Sequence, residues 1–485
     1  MKGSPTSASL STYRILNRKD TYKVNDRLQV LIETKDEEGN PRKTGGDFFR
    51  GRLESRSIQA ASRSDGEIVD FRNGSFLAEF VVRWPGTARV LVMLVDGAHA
   101  VSILDRMQRE HPSRGRYLGI FKKGKIVERT PCNIVHVAPL EEECDFTHAE
   151  TKVSWFCARP TNESLSCSHW WWHNSDGAKT DAVQSEFIEP GEGIYFKNYK
   201  RYLPCNQCEI NITTSSAEGN NVTDEHGRFP WQEPWNDLPK CLPIGTERHS
   251  NLTSGYYYHD SWVSTQCRNR RFAPADVVGC LANKTVLSIG DSTVRQVFET
   301  FNARMGLRLL PQYECMLNTR NEAANISLYY KFHGLPNRGH SGYLSTCIIR
   351  SASYVLDHLP FIPNVFILSI TAHFSLTSLD YFAERINMIR SAVERLHRRS
   401  PNTLFIIKAT HTRRFSKLVH KLANNEWMLY SMDRIVRRTF AHYPGVILVD
   451  AWDMTVSQLH ADNIHPDKRV LSNIVDLILS YICPI

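Results

Sequence analysis

The sequence predicts a mixed α/β protein, with a β-sandwich first and a helix-covered parallel sheet last. Three observations predict this class: short alternating segments fill the first 131 residues, strand-like and helix-like segments alternate after residue 280, and cysteines crowd the stretch between them. The chain has 485 residues, about three times the size of a common domain, so its length favours two or three domains over a single hydrophobic core. With 41% hydrophobic and 23% charged residues, a mainly disordered chain is also excluded.

The first 131 residues are predicted to be β-structure. Residues 1–20 are rich in Ser and Thr over their first half and are expected to be flexible. Apolar residues then alternate with polar ones at Leu28, Val30 and Ile32, a spacing typical of half-buried strands. Residues 21–131 are therefore predicted to form an immunoglobulin-like β-sandwich. Further strands, separated by Asn-Gly and Pro-Gly turn signals, are expected over residues 68–71, 75–82 and 88–95.

Residues 132–280 are predicted to depend on disulfides. They contain nine of the twelve cysteines and show little periodicity, so disulfide bonds rather than a large apolar core are expected to stabilise them. Zinc binding at Cys205 and Cys208 is the alternative, but no second pair with ligand spacing follows. Three consecutive tryptophans, Trp170 to Trp172, are interpreted as buried structural aromatics, with a sugar-stacking surface as the alternative.

Residues 281–485 are predicted to form a parallel sheet covered by helices on both faces. Apolar strand segments are followed by segments with apolar residues at helical spacing, and this alternation repeats to the last helix. In such sheets, ligand and catalytic sites lie at the carboxyl ends of the strands. The strands are expected over residues 286–289, 365–370, 404–407 and 446–449.

Glycosylation acceptors and cysteines together indicate the secretory pathway. Twelve cysteines, even in number and irregular in spacing, favour disulfides in an oxidising lumen, so we expect a Golgi-lumenal or secreted protein. Residues 1–10 do not resemble a signal peptide, and we expect the targeting segment to be absent from this form of the chain. A cytosolic protein with reduced thiols is the alternative. Seven Asn-x-Ser/Thr sequences are candidate glycosylation sites: Asn73, Asn162, Asn211, Asn221, Asn251, Asn283 and Asn325.

The charge distribution argues against nucleic acid as a partner. The formal net charge is +8, and the excess lies in residues 1–131, which contain 24 Lys and Arg against 16 Asp and Glu. We interpret this excess as a solvated basic face, with attraction to acidic glycans or membrane surfaces as the alternative. No basic helix is interleaved with stacking aromatics. No apolar run reaches the roughly 18 residues that a bilayer span requires, so no membrane span is expected.

The first candidate catalytic residue is Ser292. The sequence Gly290-Asp291-Ser292 directly follows the first strand of the C-terminal region and precedes a helical pattern. A serine at this turn lies at the carboxyl edge of the sheet, near the backbone N–H groups of a helix N-terminus, where an oxyanion can be stabilised. A helix cap formed by Asp291 or Ser292 is the alternative.

Asp462 and His465 complete a candidate catalytic triad. They follow the last predicted strand and precede the last predicted helix, so their loop also lies at the carboxyl edge of the sheet. A serine nucleophile requires a base of near-neutral pKa, and the base requires a carboxylate that fixes its tautomer. Ser292, His465 and Asp462 supply these three groups. A capping Asp with a surface His is the alternative, and a metal site that includes His460 needs more assumptions, so no metal is predicted.

These residues resemble a known family. The sequence GDSTVRQ from Gly290, with Asp462-x-x-His465 near the end of the chain, resembles the PC-esterase branch of the GDSL/SGNH hydrolases, and the N-terminal sandwich resembles neurexophilin. Together they are similar to the neurexophilin and PC-esterase domain (NXPE) family over nearly the whole chain from about residue 20. The resemblance implies an SGNH-like, flavodoxin-like three-layer domain with Ser292 as nucleophile, His465 as base and Asp462 as its partner. It also implies chemistry on ester groups, including acetyl transfer to glycans such as sialic acids and plant wall polymers.

The resemblance leaves the oxyanion hole unassigned. SGNH hydrolases carry a Gly and an Asn as further oxyanion donors, but this chain reads Thr-Ala-His-Phe after its second parallel strand, without Asn. The remaining candidates are the backbone N–H groups of Ser292, Gly334 or Gly339 and the ring of His373. Arg295 is a candidate substrate-binding residue for a carboxylate such as that of sialic acid, with a solvated or ion-paired helix residue as the alternative.

We therefore expect an acyl-transfer enzyme that forms an acyl-serine intermediate and passes the acyl group to a glycan or glycoprotein hydroxyl. An O-acetyltransferase with sialic acid as a candidate acceptor is favoured; no bound cofactor is expected, and acetyl-CoA is a candidate donor. A carbohydrate O-acetyl esterase is the first alternative. A catalytically inert, secreted, neurexophilin-like binding glycoprotein is the second, and the missing Asn favours it. In either case the sandwich is a candidate site for a protein partner.

Overall fold

The structure, a computed structural model, is of a mixed α/β protein whose described residues form four β-sheets. It describes residues 3–175, 183–214, 237–243, 253–336, 344–347, 349–441 and 443–484. The strands are β1 Thr6–Ile15, β2 Tyr22–Lys23, β3 Arg27–Asp36, β4 Phe48–Ser55, β5 Ala60–Arg63, β6 Asp65–Asp70, β7 Ser75–Val81, β8 Gly86–Asp96, β9 Tyr117–Lys123, β10 Ile126–Asn133, β11 Glu143–Asp145, β12 Phe156–Ala158, β13 Trp170–Ser175, β14 Arg201–Tyr202, β15 Glu209–Thr213, β16 Gly255–Tyr258, β17 Ser261–Ser264, β18 Thr285–Gly290, β19 Leu317–Asn321, β20 Ile326–Phe332, β21 Leu344–Ser345, β22 Val365–Ser369, β23 Leu404–Lys408 and β24 Val446–Val449. The α-helices are α1 Ala98–Glu110, α2 Pro274–Leu281, α3 Ser292–Met305, α4 Ala352–Asp357, α5 Thr371–Phe374, α6 Leu379–Arg399, α7 Leu418–Ala423, α8 Glu426–Phe440, α9 Ala451–Val456 and α10 Lys468–Ile482.

Two sheets enclose the core of what we call the N-terminal β region. One sheet has the strand order β1-β3-β7-β6, and the other has the order β17-β16-β5-β4-β8-β15-β2, with β14 also paired to β8. The alternation predicted at Leu28, Val30 and Ile32 is present, since all three side chains are fully buried. They pack with Phe49 and Val90 of the opposite sheet in a single hydrophobic core.

Part of the segment predicted to be flexible, residues 1–20, is a strand in the structure. Residues 6–15 form the ten-residue strand β1, which pairs antiparallel with β3. Tyr13 and Ile15 are buried in the N-terminal core, and the Tyr13 hydroxyl donates to the backbone oxygen of Val90 at 2.8 Å. Burial of these apolar side chains, together with pairing to β3, holds the Ser- and Thr-rich segment as a strand.

The cysteine-rich residues 132–280 contribute strands to two different sheets. Strands β15, β16 and β17 join the larger N-terminal sheet, whereas β10 to β13 lie in a six-stranded sheet of order β11-β12-β10-β9-β13-β21. Trp171 of β13 is exposed, with Lys122 Nζ 4.1 Å from the centre of its ring, so the expected burial of the three tryptophans does not hold for this residue. The cysteines form six disulfides, which fit an oxidising, secreted or lumenal environment: Cys132–Cys157, Cys144–Cys167, Cys205–Cys208, Cys241–Cys267, Cys280–Cys483 and Cys315–Cys347.

The remaining sheet has the order β19-β20-β18-β22-β23-β24 and defines the C-terminal α/β region. Its strands are parallel except β19, which runs antiparallel to β20. Neighbouring side chains of β18 enter different cores: Val286 packs with Phe298 of α3 and Ile474 of α10, and Leu287 packs with Phe382 of α6. The carboxyl ends of β20, β18, β22 and β23 therefore share one edge. No helix in the described ranges is both long and apolar enough to cross a membrane.

Candidate active site

The turn between β18 and α3 places Ser292 at the first position of a helix. Asp291 is the N-cap of α3 and is fully buried. Its Oδ1 accepts hydrogen bonds from Thr293 N at 2.8 Å and Thr293 Oγ1 at 2.7 Å, and its Oδ2 accepts from Ala372 N at 3.1 Å. Asp291 thus forms the helix cap that the sequence analysis gave as the alternative, and this cap also fixes the backbone from which the Ser292 side chain extends.

Gly290 allows β18 to approach β22 closely at this turn. A Cβ atom at Gly290 would lie 1.9 Å from the backbone oxygen of Ser369 and 2.7 Å from Val294 Cγ1. The backbone of β22 cannot move away without breaking its pairing with β18, in which Gly290 and Ser369 are partners. Only glycine therefore fits before the Asp291 cap.

Ser292 and His465 lie in contact at this edge of the sheet. Ser292 Oγ is 2.8 Å from His465 Nε2, across 173 positions of the sequence. Partial burial lowers the pKa of His465, and the positive charge of Arg413 lowers it further, while Asp291 opposes this effect. A neutral imidazole can accept the proton of the serine hydroxyl, so the pair has the geometry and the protonation state of a nucleophile with its base.

The carboxylate of Asp462 binds side chains other than His465, its expected partner. None of its described hydrogen bonds reaches His465. Its Oδ2 accepts from Arg50 Nη2 at 3.0 Å and from Lys200 Nζ at 2.8 Å, and its Oδ1 accepts from Thr412 Oγ1 at 2.6 Å. Burial alone would raise the pKa of Asp462, but the charges of Arg50 and Lys200 outweigh it and hold this pKa well below the usual aspartate range. Since both oxygens are occupied by these donors, the structure brings together two members of the predicted triad, not three.

Arg50 and Lys200 also contact Glu426, at the N-terminus of α8. Arg50 Nη1 lies 3.0 Å from Glu426 Oε1, and Lys200 Nζ forms an ion pair with Glu426 Oε2. We call Arg50, Lys200, Glu426 and Asp462 the four-charge cluster. All four side chains are at most 11% exposed, so their charges are compensated by one another rather than by water.

A buried histidine holds the same loop from the other side. His411 follows β23, and its Nε2 lies 2.8 Å from the backbone oxygen of Ile464, the residue before His465. Burial of His411 and the positive charge of Arg413 lower the pKa of His411 well below its usual value, so a neutral ring donates this hydrogen bond. The backbone of the His465 loop is thereby fixed next to β23.

The predicted oxyanion donors divide into three cases. His373 lies in α5, one residue after the Ala372 N–H that binds Asp291, and its Nδ1 is 2.8 Å from His333 Nε2. Gly334 follows β20 with a positive φ of 92°, packed so closely that a Cβ would lie 2.6 Å from the oxygen of Ile349. Gly339 lies outside the described residues. The Asp291 contact places the turn that carries His373 beside the nucleophile turn.

Arg295 is exposed on α3, one turn after Ser292. Its Nε lies 3.2 Å from Glu299 Oε1 in an i,i+4 ion pair. Arg295 is thus the ion-paired helix residue that the sequence analysis gave as the alternative to a substrate-binding role. An exposed pair of this kind is weak, so a substrate carboxylate can compete for the guanidinium.

Five candidate glycosylation sites lie in the described ranges, and all five asparagines are exposed. Asn221 and Asn251 lie outside those ranges. The Nδ2 of Asn325 donates to Oδ1 of Asn283 at 3.2 Å, so two of the acceptor asparagines are neighbours. The exposed five are Asn73, Asn162, Asn211, Asn283 and Asn325.

The sequence analysis missed two buried groups beside the nucleophile turn. Lys408 ends β23, and its Nζ lies 3.2 Å from Thr293 Oγ1. Burial lowers the pKa of Lys408 to about 8, although the charge of Asp291 opposes this shift. His333 follows β20 and is also buried. The sequence does hold a signal for both residues, because each is a titratable residue at or directly after the carboxyl end of an apolar strand, where sites gather.

Comparison with known families covers both ends of the chain. A family model described as Neurexophilin matches residues 2–196. A second model, described as NXPE family member 4-like, C-terminal domain, matches residues 262–483, which contain Ser292, Asp462 and His465. The two matches follow one another in the order that the sequence predicted. The chain belongs to the NXPE family.

Proposed function

We propose that this chain is a serine-dependent acyl-transfer enzyme that acts on glycans, with O-acetyl transfer as its reaction and sialic acid as a candidate acceptor. The observation that carries the proposal is the 2.8 Å contact between Ser292 Oγ and His465 Nε2 at the carboxyl edge of the parallel sheet. The proposal includes an SGNH-like three-layer fold for the C-terminal region and an immunoglobulin-like sandwich for the N-terminal region.

The reaction would proceed in two steps. Ser292 Oγ attacks the acetyl carbonyl of a donor such as acetyl-CoA, its proton passes to His465, and the leaving thiolate takes that proton as the C–S bond breaks. The acceptor hydroxyl then attacks the acetyl-serine and gives its proton to His465, which returns it to Ser292 Oγ. The N–H groups at the start of α3 and the ring of His373, whose turn binds Asp291 through Ala372 N, are the candidate donors to the oxyanion.

The test compares the full chain with two variants, Ser292→Ala and His465→Ala. Each is incubated with radiolabelled acetyl-CoA and a sialylated glycoprotein, and separately with a fluorophosphonate probe, which bonds to an activated serine with loss of fluoride. We expect acetylated product and labelling with the unaltered chain and a loss of at least about 10³-fold in both variants. Equal labelling of the unaltered chain and Ser292→Ala would contradict the proposal.

Hydrolysis is a second candidate activity, which the exposure of the pair favours. His465 is partly open to solvent and Ser292 is half-buried, so water can reach an acyl-serine at this position. A carbohydrate O-acetyl esterase would then release acetate without an acceptor. Acetate release that does not fall when the acceptor is added would favour this esterase over the transferase.

A further inference from the structure

The outer face of β4 points toward the C-terminal α/β region. Phe49 and Leu53 of this strand are buried in the N-terminal core, and the residues between them that alternate outward include Arg50 and Arg52. Arg63 of β5 is the cross-strand partner of Arg52, so its side chain lies on the same outer face. Three arginines of the N-terminal β region therefore share one face.

All three arginines reach one segment, residues 453–462, which precedes His465. Arg52 Nη1 donates to the backbone oxygen of Gln458 at 2.6 Å, and Arg63 Nε forms an ion pair with Asp453. Arg50 binds Asp462 at 3.0 Å. Although the strands belong to the N-terminal half of the fold, their side chains hold the loop that carries the candidate base.

Arg50 makes the contact closest to the reacting pair. Asp462 is three residues before His465, and it is held on one oxygen by Arg50 and Lys200 and on the other by Thr412. Removing the Arg50 charge leaves two buried carboxylates, Asp462 and Glu426, with Lys200 as the cation that contacts both of them. Since a buried carboxylate that loses its partner moves toward water or takes up a proton, the loop would shift and the contact of His465 with Ser292 would lengthen.

We propose that Arg50, a residue of the N-terminal β region, is a positioning residue for the Ser292–His465 pair and acts through Asp462. This inference rests on the proposed function. It assigns Asp462 to the alignment of the loop rather than to the imidazole ring, and it makes the N-terminal β region part of the catalytic unit.

The experiment uses the full chain and measures hydrolysis of p-nitrophenyl acetate, with fluorophosphonate labelling as a second rate. Arg50→Met removes the charge and keeps an unbranched side chain, and Arg50→Lys keeps the charge. Arg14→Met is the matched control, because Arg14 also lies on a strand of the N-terminal β region but in an exposed ion pair with Glu33. We expect kcat about 10- to 100-fold lower in Arg50→Met with KM within about twofold, a partial return in Arg50→Lys and no change in Arg14→Met.

A second comparison tests the route through Asp462. If Arg50 acts through this carboxylate, the double variant Arg50→Met with Asp462→Asn should be no slower than the slower single variant. Full additivity of the two effects would overturn the inference. Circular dichroism and thermal unfolding check that each variant is folded; should Arg50→Met fail this check, Arg50→Lys and Arg52→Met are compared instead, with a lowered kcat at constant KM expected in both.

Failure of the positioning role of Arg50 and failure of the proposed function would give different experimental results. A folded Arg50→Met protein with kcat within twofold of the unaltered chain overturns the positioning role, while the unaltered chain still reacts and Ser292→Ala does not. If the unaltered chain reacts no faster than Ser292→Ala, the proposed function and the positioning role fail together.

Discussion

His465 carries no described hydrogen bond to a carboxylate, and the charges around it come from several elements. Arg413, after β23, and Arg295, on α3, lower its pKa, while Asp291 and Glu299 raise it; burial is the largest cause of the lowering. The ring is therefore kept neutral by partial burial and by neighbouring cations. This differs from a triad in which a carboxylate stabilises the imidazolium.

The pH dependence of the serine follows from this environment. Only the neutral ring accepts the Ser292 proton, so the rate falls as the pH drops through the pKa of His465, which lies below the ordinary 6.5. We expect the fluorophosphonate labelling rate to be half-maximal below pH 6.5 and constant above it. Removing the exposed charge in Arg295→Gln should move the midpoint slightly upward. A midpoint above 6.5 in the unaltered chain would contradict the environment described for His465.

Single residues also show where sequence reasoning succeeded. The sequence predicted the nearness of Ser292 and His465, because each follows a readable apolar strand and carboxyl ends of parallel strands share an edge. It could not predict the partners of Asp462, which lie 412 positions away in Arg50 and 262 positions away in Lys200. No local pattern distinguishes an arginine that enters a buried cluster from one that stays in water.

At the scale of elements, the apolar patterns predicted eight of the 24 strands in the described residues, but not the sheets to which they belong. The strand predicted over residues 446–449 agrees with β24, and the strand predicted over 404–407 ends one residue earlier than β23. Helix α1 and strand β1 were missed. The apolar side of α1, which includes Ile103 and Leu104, packs on the distant residues Phe196 and Leu422, and such distant contacts are not visible in a local pattern.

The junction of β18 and α3 gives an element-scale prediction. Gly290→Ala places a methyl group against the Ser369 oxygen, so we expect a lower melting temperature and a loss of Ser292 labelling. Gly279→Ala is the control, because Gly279 lies in α2 with open space around its added Cβ and Ala is about 1 kcal/mol better than Gly in a helix. Its melting temperature should stay equal or rise slightly. If Gly290→Ala has the melting temperature and the Ser292 labelling of the unaltered chain, the backbone of β22 can move to accommodate the added methyl group.

At the scale of the whole molecule, the disulfides close chain segments of very different length. Cys280–Cys483 spans 203 positions and joins the end of α2 to the end of α10, whereas Cys205–Cys208 spans three. In the chain-entropy description, a longer closed segment restricts the unfolded chain more. The long disulfide should therefore contribute more to the free energy of unfolding.

This difference can be measured by removing each disulfide through a pair of Cys→Ala changes. The chain-entropy relation gives about 5 kcal/mol for the segment closed by Cys280–Cys483 and about 2 kcal/mol for that closed by Cys205–Cys208. We expect the first pair of changes to lower the midpoint of guanidinium unfolding more than the second. A smaller effect at Cys280–Cys483 would mean that the packing of α10 in its core already restrains the two ends.

The face of β4 and β5 that carries Arg50, Arg52 and Arg63 contacts residues 453–462 of the same chain. This contact reduces the surface of the N-terminal β region on which another protein could dock. One face of this region that stays open to solvent is the outer face of the opposite sheet, formed by β1, β3, β7 and β6. There Arg14, Leu31, Glu33 and Leu77 alternate with buried neighbours and remain wholly or partly open to solvent. Binding on that face would leave the edge that carries Ser292 and His465 uncovered, so recognition of a partner and the proposed reaction could proceed on the same molecule at once.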